Sequence, residues 1–414
     1  MALVAPPPDV PYDINGLRTF TDYECIAEIL RSPNFGYGFP EVPQFRRTLA
    51  WTDGPEHSDR RRLEVRLFSN TALRLYERET LRPQVDEFFE ECKRKQSDDG
   101  LFRADLTKLA ELWLARLSAR ISGLDGVDTS HDANRFLDLT EHRRTAYFLK
   151  ARPEEKAQYE RDAGESTALL RAEFYEPSMR RREGLVARWR QGSLTQDDLP
   201  KDLLTLLLMH WNADWDEDLA FREVSLFLSG AIGTTVRSLV HLVNHLDAWF
   251  SVNPDERWRA TDPGFVRRAA HESLRLHPVI PAMMRRALCE VKLSDGTVIA
   301  EDERVALLYG QGNRDPKVFG DQPDLFDPFR VPLVEGVPGY GLTFAFGPHV
   351  CIGRNMAIGG GEDEAVGAPT GTLLRMAIRL QEAGVRPDPE SVPVYDWNSM
   401  WDRYLTYPIV LTFT

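Results

Sequence analysis

The chain has 414 residues, 42% of them hydrophobic, enough for two average domains or one large one with a sizeable core. Its 51 Lys and Arg against 64 Asp and Glu give a net charge of −13, which argues against broad binding to nucleic acid or anionic membrane but leaves room for a local basic patch. The proline-rich start, residues 1–12, reads as neither a signal peptide nor an anchor, and no later run of about 18 apolar residues occurs, so a cytoplasmic protein without a membrane anchor is expected.

Helical spacing dominates the pattern. Residues 22–30 read as a short helix with Cys25, Ile26, Ile29 and Leu30 on one side, and 55–68 as a strongly basic one. Residues 72–95 and 104–122 form two longer amphipathic helices, the second stopped by Gly123. Residues 133–150 and 153–191 predict long charged helices whose charges are a solvated face. A short apolar helix at 202–209 precedes a long one at 216–250, apolar enough in its middle to be buried on most sides. Another helix, 263–276, ends at His277-Pro278. Strands are then expected at 291–298 and 305–308, around the turn residues Asp295 and Gly296, and at 404–413. Residues 315–338 are proline-rich and irregular, and long loops of this kind tend to be functional. The fold class is mainly α with small β-sheets, read as a single domain over 1–414.

Of four cysteines, Cys25, Cys92, Cys289 and Cys351, none forms a CxxC pair, and a disulfide framework is not expected. The first three are expected to be ordinary buried or half-buried thiols. Cys351 stands in Phe344-Ala-Phe-Gly347-Pro-His349-Val-Cys351-Ile-Gly353-Arg354, which fits F-x-x-G-x-H-x-C-x-G at every fixed position. Such a segment is a loop leading into a helix, with Gly347 and Gly353 allowing close approaches that a Cβ would block. Amides and dipole at the helix start favour a thiolate, the form that binds iron. A lone cysteine would read as a buried thiol in a glycine-rich turn; five matched positions do not.

This segment resembles the haem-binding loop of the cytochrome P450 family, and the resemblance extends over roughly Asp53 to the C-terminus. Glu272-Ser-Leu-Arg275, followed by Leu-His-Pro, is similar to the family's E-x-x-R, whose i, i+3 spacing allows a salt bridge. Arg330 in Phe326-Asp-Pro-Phe-Arg330 is similar to the third member of that triad, and Asn313-Arg-Asp-Pro316 to a further structural run. His57 and Arg61, one turn apart, resemble the family's H-x-x-x-R helix. The resemblance makes them, with Arg285 and His349, partners of the haem propionates, since buried carboxylates need such pairing. Phe344 and Gly230 complete the expected haem contacts.

Ser229-Gly230-Ala-Ile-Gly233-Thr234-Thr235 resembles the oxygen-activation segment, in which Thr234 would help deliver protons to dioxygen. Gly233 departs from the usual acid there, so protons are expected to come through water, Thr235 or a substrate group. The plain alternative is a threonine bonded to its own helix backbone. A second departure follows Ala357, where glycines and a proline are incompatible with a regular helix, and residues 360–371 are read as a loop inserted before the helix resumes at 372–382.

The resemblance implies a haem b monooxygenase inserting one oxygen atom of O2 into a small organic substrate. Electrons would come from NAD(P)H through a separate ferredoxin reductase and ferredoxin. Substrate contacts are expected from the 35–45 loop (Phe35, Tyr37, Phe39), the 229–234 stretch starting at Ser229, the 279–284 stretch with Met283 and Met284, and the 397–400 turn with Trp397. Arg60, Arg62, Arg66 and Arg354 are candidates for a basic docking patch. A peroxide-using or non-oxygenating member, such as a dehydratase or phenol-coupling enzyme, is the nearest alternative, and a non-catalytic haem sensor the next. No hydrolase elbow or phosphate loop is present. His241 and His245 stand i, i+4 with no third ligand evident, so a metal site there is not expected.

Overall fold

The computed structural model describes residue 14 and residues 16–39, 43–148, 153–216, 218–360, 370–396 and 402–413. In chain order, β1 (Arg18–Phe20), α1 (Tyr23–Arg31) and β2 (Phe35–Tyr37) precede α2 (Gly54–Glu64), α3 (Asn70–Tyr76), α4 (Arg82–Arg94), β3 (Phe102–Asp105) and α5 (Leu106–Ser122). Then come α6 (Ser130–Phe148), α7 (Pro153–Leu170), α8 (Glu176–Arg190), α9 (Leu203–Met209), α10 (Leu219–Val252) and α11 (Pro263–Leu276). Strands β4 (Ala282–Ala287), β5 (Val291–Lys292), β6 (Val298–Ile299) and β7 (Arg304–Leu308) lead to the short α12 (Tyr309–Gly312) and α13 (Pro316–Phe319). The chain closes with α14 (Arg354–Ile358), α15 (Thr372–Glu382), β8 (Arg386–Pro387), β9 (Val394–Tyr395), β10 (Tyr404–Thr406) and β11 (Pro408–Leu411).

The expected order of helices is present, with informative differences. The helices expected at 72–95 and 153–191 are each broken by a π-helical turn, Glu77–Leu81 and Arg171–Tyr175. A proline follows each break, Pro83 and Pro177, at the second position of α4 and α8. A proline ring clashes with the carbonyl four residues back, here Glu79 and Glu173, and the wider π turn makes room for it. The strands β1 to β4 had no sequence signal. Three are only three or four residues long, and β4 is covered on both faces, so its burial does not alternate.

The described chain divides into two compact units. The first comprises residues 1–40, 85–107 and 234–414. Its main sheet has the order β1-β7-β4-β2, with β1 parallel to β7 and the other pairs antiparallel. Against it packs α1, started by Asp22, whose carboxylate accepts the amides of Glu24 and Cys25. A second sheet, β3-β11-β8, and two hairpins, β5-β6 and β9-β10, complete the β content of this unit. Between α14 and α15, Gly359 and Gly371 both stand at positive φ. A Cβ on Gly371 would lie 2.3 Å from the Gly359 amide nitrogen, so these two positions abut.

The second unit comprises residues 41–84 and 108–233. It is built around buried charge as well as apolar contacts. Arg60, 2% exposed, pairs with Glu223 and, at 3.7 Å, with Glu64, both fully buried, and donates to the Arg47 carbonyl. Glu223 also accepts the Leu49 amide at 3.1 Å. Arg182 bridges Asp125 and the buried Asp202. Asp202 in turn caps α9 by accepting the Thr205 amide at 2.8 Å.

Of all described helices, α10 alone is long and apolar enough to cross a bilayer by length and composition; 56% of its most apolar window is buried within the protein, as in a core helix.

Candidate functional site

The Cys351 loop belongs to the first unit and is pinned from both sides. Gly347 has φ 68°, and a Cβ there would lie 2.2 Å from the Leu30 carbonyl oxygen at the end of α1. Only glycine combines that backbone with that approach. Beside it, Phe346 lies under the Arg31 guanidinium, 4.6 Å from the ring centre, and edge-on to Tyr23. The Cys351 amide donates to the Phe344 carbonyl at 2.8 Å, closing the loop on itself. The thiol itself is exposed, and α14 begins three residues later. Phe344 stands edge-on to Tyr340 at 5.1 Å.

Two of the expected propionate partners meet across one residue in this unit. Register pairs Tyr37 of β2 with Arg285 of β4. The Arg285 guanidinium lies 6.0 Å from the centre of the Tyr37 ring, and the His349 ring lies 6.3 Å from it on the Cys351 loop. Arg285 is only 2% exposed and donates to the Met284 carbonyl. A buried guanidinium and an imidazole in the same unit as an exposed thiol are donors for a group carrying both a soft metal and carboxylates.

The triad that supports this loop is complete. Arg275, with no exposed surface, donates to both oxygens of Glu272 at 2.7 and 2.6 Å and to the carbonyls of Asn313 and Pro323. Arg330 donates to the same Glu272 carboxylate at 2.9 Å. The Asn313 side chain donates to the Arg275 carbonyl and accepts the Leu342 amide at 2.7 Å, and the Thr343 hydroxyl donates to the Leu274 carbonyl. The residues just before Phe344 are thus tied to the end of α11.

Other predicted residues are distributed as follows. Thr234 is half-buried on α10, and its carbonyl accepts the Ser238 hydroxyl. Met283 and Met284 are neighbours on β4 and point to opposite faces, Met283 packing against the α1 core. Phe39 is half-buried against Tyr37. In the second unit, His57 is buried and Arg61 half-buried, one turn apart on α2, as their spacing predicts. Ser229 is half-buried on α10, while Gly230 is exposed in mid-helix, with open space where a Cβ would stand. Trp397 lies outside the described residues.

Arg60 corrects the sequence reading: it is not a surface cation but the centre of the Glu64–Glu223 cluster. Its partner Glu223 lies 163 residues away, beyond any local pattern. Cys289 is exposed rather than buried. His241, for which no third partner was evident, meets His277 and Asp402.

Residues 264–359 match the family model described as Cytochrome P450. The match begins within α11 and ends just past α14, so it contains the triad, Arg285 and the Cys351 loop. Over that segment the chain is a match to the cytochrome P450 family. Among curated relatives it is similar to cytochrome p450 CYP199A2 of Rhodopseudomonas palustris, 34% identical over 32% of this chain and 30% of that protein. It is also similar to linalool 8-monooxygenase of Pseudomonas putida, 33% identical over 38% and 36%. The matched segments thus span about a third of the length of these relatives. Among solved structures, CYP109E1 from Bacillus megaterium aligns with a TM-score of 0.70 and 16% identity over 96% of this chain and 94% of that one. HmtT, involved in himastatin biosynthesis, aligns with 0.70 and 22% over 97% and 94%. Both units therefore fall within the P450 fold. A P450 holds haem, and the donor set of the first unit fits one: Cys351 for the iron, Arg285 and His349 for a propionate.

Proposed function

We propose that this P450 is a haem-thiolate monooxygenase that inserts one oxygen atom of O2 into a small, largely apolar organic substrate. The observation that carries the reading is the exposed Cys351 thiol on a loop fixed by α1, α11 and the Glu272 triad, with Arg285 and His349 in the same unit. When bound, haem b supplies a redox iron at which O2 takes up two electrons and two protons, one oxygen atom going to substrate and the other to water.

The chain's own residues have separate tasks. Cys351 would supply the thiolate that holds the iron, and the Phe344 carbonyl fixes its backbone. Arg285 and His349 neutralise a propionate; for His57 and Arg61 the same assignment rests on their sequence motif. Thr234 moves a proton at its hydroxyl, and with Gly233 in place of an acid that proton comes from water, Thr235 or a substrate group. Gly230 leaves open space on α10, which suits the approach of a small molecule. Met284 and Phe39 are the apolar contacts best supported, since Met283 is used by the core.

Electrons come from NAD(P)H through a ferredoxin reductase and a ferredoxin, and the protein acts in the cytoplasm. Without Arg60, Arg62 and Arg66 remain as docking cations of the second unit, and Arg354 is a separate candidate in the first. A relative named for its action on linalool supports the substrate class.

The absorption spectrum of the dithionite-reduced protein with carbon monoxide tests this directly. A strongly red-shifted Soret band is expected. A band typical of histidine-ligated haem would mean an altered site, and no haem band would overturn the reading.

A further inference from the structure

A cluster of titratable side chains in the first unit is used by none of these roles. Asp402, just before β10, meets two imidazoles. His241 of α10 approaches one carboxylate oxygen at 3.3 Å, and His277, at the C-terminal end of α11, meets the other at 2.5 Å. The two rings stack, with centres 3.9 Å apart and planes 11° from parallel. All three side chains are nearly buried, at 7, 14 and 12% exposure for His241, His277 and Asp402.

The donor atoms lie within 4.8 Å of one another, close enough to suggest a metal ion. The ring planes exclude it. An ion bound by two imidazoles lies near both ring planes, about 2.0–2.1 Å from each nitrogen. Nearly parallel stacked planes share no such point. The arrangement suits protons: His277 Nδ1 meets one carboxylate oxygen, while His241 Nε2 faces the other and also the Asp402 backbone carbonyl, each at 3.3 Å.

We propose that Asp402 is a positioning residue whose bonds to His241 and His277 lock the β9-β10 hairpin onto α10 and α11 and thereby set how tightly substrate is held. The consequence for substrate rests on the function proposed above. His241 lies two turns beyond Thr234 on α10, and His277 precedes the strand that carries Met284 and Arg285. The next residue, Arg403, donates to Asp396 at 2.8 Å. Ionic contacts at two consecutive residues thus hold the start of β10.

The lock depends on protonation. Burial disfavours a charged His241, but the Asp402 carboxylate outweighs it and holds the ring above its ordinary value. Burial and the His241 cation push His277 down to about 4, against the pull of Asp402. Burial likewise keeps His245 neutral, and His245 shares a hydrogen bond with Ser273. Arg237, Arg275, Arg314 and Tyr404 also face the cluster. The lock is therefore charged and complete above about pH 4 and loosens as pH rises through the raised His241 value.

The test uses the ferric holoenzyme and phenylimidazole as probe, titrated between about pH 7 and 9, with hydrogen exchange of the Arg403–Thr406 amides measured in parallel. Asp402→Asn is expected to weaken probe binding about tenfold, to flatten its pH dependence and to speed hairpin exchange. Asp402→Glu should restore much of each. Unchanged affinity, pH profile and exchange in both Asp402→Asn and His277→Gln would overturn the proposal. So would one equivalent of divalent metal in the purified protein that Asp402→Asn loses. A wild-type carbon monoxide band without the thiolate shift would instead sink the monooxygenase reading, while the exchange comparison still decides the lock.

Discussion

Glu272→Gln should cost this protein more stability than almost any other single isosteric change. The wild-type carboxylate accepts both Nε and Nη2 of Arg275, Nε of Arg330 and the Asp327 amide at 3.2 Å. Glutamine keeps the shape but offers one acceptor and turns an amide donor toward guanidinium donors. Arg275 has no exposed surface, and a guanidinium does not neutralise itself by losing a proton. A buried charge stripped of its partner costs about 3–5 kcal/mol, against a total of about 5–15 kcal/mol for a folded domain. The loss should reach the Cys351 loop, because Arg275 also anchors the Asn313 backbone, and Asn313 holds Leu342. The assay is urea unfolding of the holoenzyme, followed by circular dichroism and by the Soret band, with a matched Glu272→Gln/Arg275→Met double variant. The double variant should recover part of the loss, since replacing a buried pair by apolar groups is often nearly neutral. A single variant within about 1 kcal/mol of wild type, or a double variant clearly worse than the single, would refute the reasoning.

Other outcomes follow from the same geometry. Cys351→Ser should leave the fold intact by circular dichroism but abolish the red-shifted carbon monoxide band, since a hydroxyl is a poor iron ligand beside a thiolate. Thr234→Ala should divert electrons to hydrogen peroxide; peroxide-free turnover in that variant would remove Thr234 from proton delivery. Deleting residues 361–369 should leave the thermal midpoint nearly unchanged, because the abutting Gly359 and Gly371 lie within the ~7 Å span of one β-turn, which Gly360 and Thr370 would complete. Stability should fall as pH drops from about 6.5 toward 4. His277 and His271, each held down to about 4 mainly by burial, bind protons more readily unfolded than folded. Their contribution is present above 6.5 and lost below it, at about 3 kcal/mol per ring. His241, raised instead, has the opposite sign, and its contribution is lost only above pH 6.5, outside this window.

What could be read from the residues was what depends on short spacing. The Cys351 loop, the Glu272–Arg275 pair and the His57–Arg61 turn each lie within eleven residues, and local geometry alone brings their members together. The helix at Pro263–Leu276 was legible to the residue because Asp262 caps it and His277-Pro278 stops it. The π turns were legible in principle, since Pro83 and Pro177 each sit inside a helical pattern that cannot absorb a proline without a wider turn. What stayed hidden was long-range charge. Arg60 looks like one more cation in Arg60-Arg61-Arg62, and nothing within a turn of it says that Glu223 will bury it. Asp402 is 125 residues from His277 and 161 from His241, so neither imidazole shows its partner in sequence. Both cases follow one rule. A buried charge must be paired, but a sequence shows only the charge. A run of exposed-looking cations, or a histidine pair without a third ligand, therefore predicts a buried ionic cluster as well as a surface, and only the packing of distant elements decides which.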